Sequence, residues 1–391
     1  MRVGTRLLVA LAILASLFSY FKFSHCESVT WATPNQYIHA CYSDLPALVS
    51  ERAFGKGEWA YSGGEQAVEY PVLQGVVMWA TAQITNSPIG YFRLNALLLG
   101  ALFIFTILLF HRIKPEYSYL YAITPTAIAA LYINWDIWAI ATMLLSIYLF
   151  DKGRYRDSAL ALGVSIATKF FPIVLLLPIF IYFIRKSALR QFFIYASVSI
   201  GTFAIINLPF AITTPDGWWR FFKLNLDRQA DWGSLWYALS VFGVNLTHIN
   251  YLSILVLLSG VAAVAIFLLQ TRETLSLSHS ALYIFILVMA VSKVYSPQYV
   301  LWLAPLVLLA IVDQRDLSWF WFWQIAEMMY HIAIWQHLAT VTGAASGLGV
   351  KAYATATLIR IAASLALAIA LARRHPREAN FRSEWLPDLA I

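Results

Sequence analysis

The stretch HACYSDLPALVSERAFGKGEWAYSGGEQAVEYPVLQGVVMW, residues 39–79, gathers Asp44, Glu51, Glu58 and Glu69 in a chain that is 60% hydrophobic. Carboxylates are costly next to apolar sequence, so their presence asks for a reason. One reason is chemistry: a carboxylate held at a membrane edge can take the proton of a hydroxyl, as a general base. Asp44, within Tyr42-Ser43-Asp44-Leu45-Pro46, is the candidate for that role. Its other reading is an N-cap for a helix starting at Leu45, with Pro46 in the first turn. Glu69, ahead of Tyr70-Pro71, either orients a substrate hydroxyl or is solvated, while Tyr70 suits an interface and Pro71 a helix start.

Lys169 is the most expensive cation in the chain. It follows a mostly apolar run and precedes Phe170-Phe171-Pro172, at a break between two short apolar segments. An ionisable group at such depth marks a functional site, here for a phosphate, or else snorkels to the headgroups. Asp136, after Asn134-Trp135, is its candidate partner. Arg228 and Trp232 follow an aromatic and cationic run, Trp218 to Lys223, that reads as an amphipathic interfacial helix and, first of all, as a membrane anchor. The turn SKVYSPQYVLW sets Lys293, Ser296, Gln298 and Tyr299 around Pro297. His331 and His337 stand near the end of a later segment; lone histidines are usually structural, and of the two His331 is the candidate. Cys26 and Cys41 are the chain's two cysteines. In an oxidising compartment they are expected to pair, with two free thiols as the alternative.

The elements that position these residues follow from composition. The chain has 391 residues, 12% charged and 16% aromatic, against about 25% charged in soluble proteins. Its apolar runs are continuous rather than alternating, which excludes a barrel, and lipid demands that each backbone polar group be satisfied within its own segment. The expectation is an all-α, polytopic membrane protein of about twelve transmembrane helices. Apolar segments fall at 7–23, 71–86, 91–110, 119–133, 137–150, 158–168, 171–184, 192–212, 252–269, 281–291, 299–312, 317–334 and 352–371. Several are shorter than the ~20 residues of a simple span, so tilted or broken helices are expected. Residues 1–375 read as one membrane domain, followed by a cytoplasmic tail, 376–391.

Lys and Arg cluster near residues 112–114, 152–156, 185–190, 272, 315 and 373–374, which assigns those turns to the cytoplasm. Cytoplasmic termini require an even number of crossings, and 71–86 is expected to be the re-entrant segment. The long first loop, 24–70, the interfacial loop, 213–251, and the turns carrying Asp136, Lys169 and Ser296 then share the extracytoplasmic face. The net charge of +7 reflects these turns, not a nucleic-acid surface, since no basic domain is present. Sequence motifs for nucleotide or metal binding are absent, and no metal or cofactor is expected. Asn245-Leu246-Thr247 fits a glycosylation sequon only weakly.

Four motifs in order, CYSDLP, EYPVLQGVVMW, GVSIATKFFPIVLLLP and YSPQYVLWLAPL, resemble the actinobacterial glycosyltransferase family 87. The resemblance covers roughly 7–371. It implies a GT-C fold and an inverting enzyme that moves a hexose, typically mannose, from a polyprenyl-phosphate sugar to a lipid-linked or cell-envelope glycan. It matches the family's first-loop acid to Asp44, and Lys169 and the Ser296-Pro297-Gln298-Tyr299 turn to family motifs. With the residues singled out above, the expected substrate or donor contacts are Tyr42, Glu69, Tyr70, Asp136, Lys169, Arg228, Trp232, Lys293, Ser296, Gln298, Tyr299 and His331. An arabinofuranosyltransferase using a pentose donor is the neighbouring alternative. A transporter or flippase of lipid-linked sugars is one from another class, as is a non-catalytic assembly factor. A transporter calls for internal repeats and midplane ionisable groups, whereas polar residues here gather at one surface. The expected partners are membrane lipids, the donor and a glycan acceptor, with the chain acting as a monomer in the cell membrane.

Overall fold

The computed structural model describes residues 4–62, 64–244 and 246–375; the 376–391 tail and Asn245 of the sequon lie outside them. Among the described residues there is no β-strand, and every apolar segment of the sequence carries helix. Five helices are long and apolar enough to cross a membrane: Thr5–Ser28, Pro88–Ile113, Leu189–Thr213, Ile249–Gln270 and Val350–Ala372. This falls short of the twelve spans expected. The remaining apolar helices are shorter or broken, and the breaks have local causes.

Segment 119–133 divides into Ser118–Ala122 and Pro125–Ala130 because Pro125 cannot continue a helix but can begin one. Segment 171–184 opens as a 3₁₀ turn, Phe171–Leu175, with Pro172 in its first turn, before the Leu176–Arg185 helix. Leu317–Val341 has the length, yet it buries Gln324, Glu327, His331 and His337. The face that carries these polar groups packs against protein, while Phe322, Ile325, Met329 and Ile332 on another face stay exposed.

The core of the bundle is built by the Asp136–Asp151 helix, which packs on Pro88–Ile113 and on Tyr155–Thr168. Tyr155–Thr168 in turn packs on Leu189–Thr213, and Leu317–Val341 on Val350–Ala372. Only 11% of the apolar window of Ile249–Gln270 is buried, which puts that helix at the rim with its side chains turned outward. The Asp136–Asp151 and Tyr155–Thr168 pair has a consequence for the site. Both begin or end at one level with Asp136 and Lys169, and both reach the basic turn 152–156 at the other, some 20 Å away at the helical rise per residue. The polar turns and the basic turns thus occupy opposite ends of the same helices.

Candidate active site

The turn between Pro125–Ala130 and Asp136–Asp151 is where the first loop docks. Ser43 Oγ donates to Tyr132 O at 2.7 Å, and the Asp44 N–H donates to Ile133 O at 2.8 Å. The helix that follows is Asp44–Glu51, and its N-cap is Ser43, whose Oγ accepts from the Leu45 N–H at 3.2 Å. The cap reading of Asp44 is therefore corrected: Ser43 caps, and Asp44 occupies the first helical position with its carboxylate free for other partners. Just upstream, Cys26 at the end of the first helix is bonded to Cys41, their Cα atoms 5.9 Å apart. The bridge ties the loop down three residues before Asp44.

Both carboxylate oxygens of Asp44 are held. Oδ1 accepts from Tyr42 OH at 2.8 Å and Oδ2 from Asn134 Nδ2 at 2.6 Å. Asn134 is the centre of the arrangement: its Nδ2 also donates to Tyr70 OH at 2.8 Å, and its Oδ1 accepts from Lys169 Nζ at 3.0 Å. Lys169 Nζ lies 3.3 Å from Asp136 Oδ1 and 4.6 Å from the centre of the Tyr70 ring. Lys169 is 14% exposed, so the side chain turns inward rather than snorkelling to headgroups.

Burial pushes the Asp44 carboxyl above the usual carboxylate range, although the Tyr42 and Asn134 donors and the Lys169 charge work against that rise. A raised value makes the carboxylate a better proton acceptor. The Asp44 charge, with burial, drives the Tyr42 phenol far up, so Tyr42 remains a donor. Burial likewise lifts Tyr70 well above its ordinary value.

These groups face a cavity of about 900 Å³. Of the residues singled out in the sequence, Tyr42, Asp44, Glu69, Tyr70, Lys169, Arg228, Trp232, Ser296, Gln298 and Tyr299 line it. Glu69 is not free: Arg52 grips it with Nε, 2.7 Å from Oε2, and with Nη2 on Oε1. Arg228 pairs with Asp231 at 3.3 Å, and both line the cavity. The expected interfacial helix is Pro215–Asp227, but its aromatic side does more than anchor. Trp219, Phe221 and Phe222 form an apolar wall of the cavity, with Phe170 packed against Phe221 and Phe222. Gly217 allows this, since a Cβ there would meet Tyr61 O of the first loop at 1.9 Å.

Three candidates stand off the cavity. Asp136 is 1% exposed and sits behind Lys169, held by Trp302 Nε1 at 2.9 Å. Lys293 points away, to Asn250 Oδ1 at 2.9 Å. His331 is buried between Lys22 Nζ and Trp335 Nε1, each 3.1 Å from its Nε2. Sequence reasoning missed Arg52, Asn134 and Asp231, together with the cavity-lining Tyr37 and Trp335. The signal for Asn134 was present, as the first polar residue of Asn134-Trp135-Asp136 within an otherwise apolar stretch. Among the described residues no group of three or more His, Cys, Asp or Glu side chains is arranged to hold a metal ion.

The arrangement joins a held, desolvated carboxylate to a partly buried cation beside an amphipathic cavity at the end of a helical bundle. Such an arrangement has the groups that activating a hydroxyl and receiving an anion with an apolar tail would require. No curated protein matches the chain. The model of glycosyltransferase family 87 matches residues 69–297, more than half of the chain, and this stretch includes Lys169, Arg228 and Ser296. The chain belongs to glycosyltransferase family 87, a family of membrane glycosyltransferases.

Proposed function

We propose that the protein is an inverting GT-C-type mannosyltransferase that uses a polyprenyl-phosphate sugar and acts at the extracytoplasmic face on a lipid-linked or cell-envelope glycan. The observation that carries this reading is the Asp44 carboxylate, pinned by Tyr42 and Asn134 at the wall of an amphipathic cavity that Lys169 and Arg228 also line. The acceptor hydroxyl gives its proton to Asp44 while its oxygen attacks the anomeric carbon. The bond from that carbon to the phosphate oxygen breaks, the electron pair leaves with the polyprenyl phosphate from the opposite side, and the anomeric configuration inverts.

A phosphate leaving group is weakly basic, so nearby cations can stabilise it without a general acid. Lys169 and Arg228 supply that charge, and the aromatic wall of Phe170, Phe221 and Phe222 suits a polyprenyl tail. The separation of cavity and basic turns to opposite helix ends supports an extracytoplasmic site, because basic turns stay in the cytoplasm. The test is purified protein in lipid nanodiscs with radiolabelled polyprenyl-phosphate sugars and a panel of glycolipid acceptors. Transfer of mannose with inversion is expected. Transfer of a pentose alone would reassign the donor to arabinofuranose, and no transfer from any donor, with uptake once the protein is placed in sealed vesicles, would contradict the enzyme reading.

A further inference from the structure

Arg360, in the Val350–Ala372 helix, has no exposed surface, and its partner Glu327 in Leu317–Val341 is 2% exposed. Apolar replacements of a buried ion pair are often neutral or stabilising, so a buried pair is weak ground for stability alone. The guanidinium has other engagements. Its Nε donates to Glu327 Oε2 at 2.8 Å, but Nη1 donates to Tyr295 O at 2.7 Å and Nη2 to Ser296 O at 3.1 Å. The rings of Tyr295 and Tyr330 lie 3.4 and 4.1 Å from its central carbon. A planar fork clamped between two rings and aimed at two successive carbonyls sets the backbone at that point.

Those carbonyls belong to the turn that gives Ser296, Gln298 and Tyr299 to the cavity. The same turn carries the segment with Arg228, Asp231 and Trp232. The Asp231 N–H donates to Lys293 O at 2.8 Å, Trp236 Nε1 to Val291 O at 2.7 Å, and Tyr330 OH to Tyr295 O at 3.3 Å. Gly233, at φ +75°, lets the chain lie so close that a Cβ would meet Tyr295 O at 2.1 Å. One wall of the cavity, 231–236, is therefore hung on the 291–295 backbone, and the Tyr295 and Ser296 carbonyls that Arg360 holds close that stretch.

We propose that Arg360 is a positioning residue for the donor: by clamping these two carbonyls it fixes the 295–299 turn and, through it, Arg228 and Trp232 where they meet the donor's phosphate. The inference rests on the reading of the cavity as a polyprenyl-phosphate sugar site. Arg360 does not line the cavity and acts through the backbone.

The test replaces the pair together, Arg360→Met with Glu327→Gln, so that no lone charge is buried. The amide oxygen left at 327 can still accept from Trp323 and Tyr295, as the carboxylate does. Three quantities are measured on the full-length protein in nanodiscs: thermal midpoint, hydrogen exchange of 231–236 and 293–299 without substrate, and the kinetics with each substrate. The midpoint is expected to hold, exchange in those two segments to quicken at least tenfold, and the donor KM to rise at least tenfold with the acceptor KM unchanged. Unchanged exchange in both segments overturns the proposal. Should the double variant fail to fold, Arg360→Lys carries the test: it keeps the charge pair and loses the fork, and exchange at 293–299 should still quicken. If the native protein transfers from no lipid-linked sugar, the donor assignment fails, and the clamp stands or falls on the exchange data.

Discussion

Asn134 Nδ2 donates to Asp44 Oδ2 at 2.6 Å, and removing that bond has a consequence of definite sign. A donor to the ionised form stabilises it, so the bond lowers the Asp44 value that burial raises. In Asn134→Ala the carboxylate holds its proton to higher pH, and a base is useful only when ionised. The acid limb of kcat/KM should move up in pH, since a hydrogen bond that favours the ionised form is lost. A limb that stays in place or moves down would separate Asn134 from Asp44 function. Lys169→Gln removes a charge-assisted contact of about 1.5–3 kcal/mol and should raise donor KM at least tenfold while the protein remains folded. Unchanged donor affinity would make Lys169 structural. At this scale the sequence revealed acids and cations in segments that the fold brings to one cavity, and offered Asp136 as a partner for Lys169, but not the pairings of Arg52 and Arg228. Arg52 was unreadable because its partner Glu69 lies 17 residues away across a loop.

Among the elements, the breaks matter more than the spans. Pro125 and Pro172 were visible as letters, and the short segments beside them implied broken helices. The docking of the first loop on the 132–136 turn was not visible, because it runs through the backbone carbonyls of Tyr132 and Ile133, which any residue could offer. The role of Gly217 was equally hidden. Gly217→Ala should drive the Pro215–Asp227 helix off Tyr61, costing about 1–3 kcal/mol of stability as overpacking does, and raise donor KM by loosening the aromatic wall. Gly201→Ala, where a Cβ meets nothing within 4 Å, is the control and should leave the melting temperature unchanged or higher. Equal melting temperatures for the two variants would show that the close approach carries no load.

For the whole molecule, hydropathy and basic turns separate two ends of one bundle, and this much was legible from the positive-inside pattern. The number of crossings was not, since helices buried among other helices need be neither long nor continuously apolar. Glu65 is exposed in the first loop and Lys152 in a basic turn. A cysteine at Glu65→Cys should react with an impermeant thiol reagent in intact cells, and one at Lys152→Cys should react only after permeabilisation; the reverse pattern would invert the assigned orientation. Cys26 and Cys41 are bonded to each other and leave the background clear. The central claim is that Asp44 takes the acceptor's proton, and its most direct test is turnover of Asp44→Asn in a lipid bilayer with polyprenyl-phosphate-mannose. Asparagine keeps the shape and cannot accept that proton. General-base catalysis is worth about 10²–10⁴-fold, so at least a hundredfold loss of kcat is predicted with fold and donor affinity retained, whereas near-normal turnover of Asp44→Asn would contradict the account.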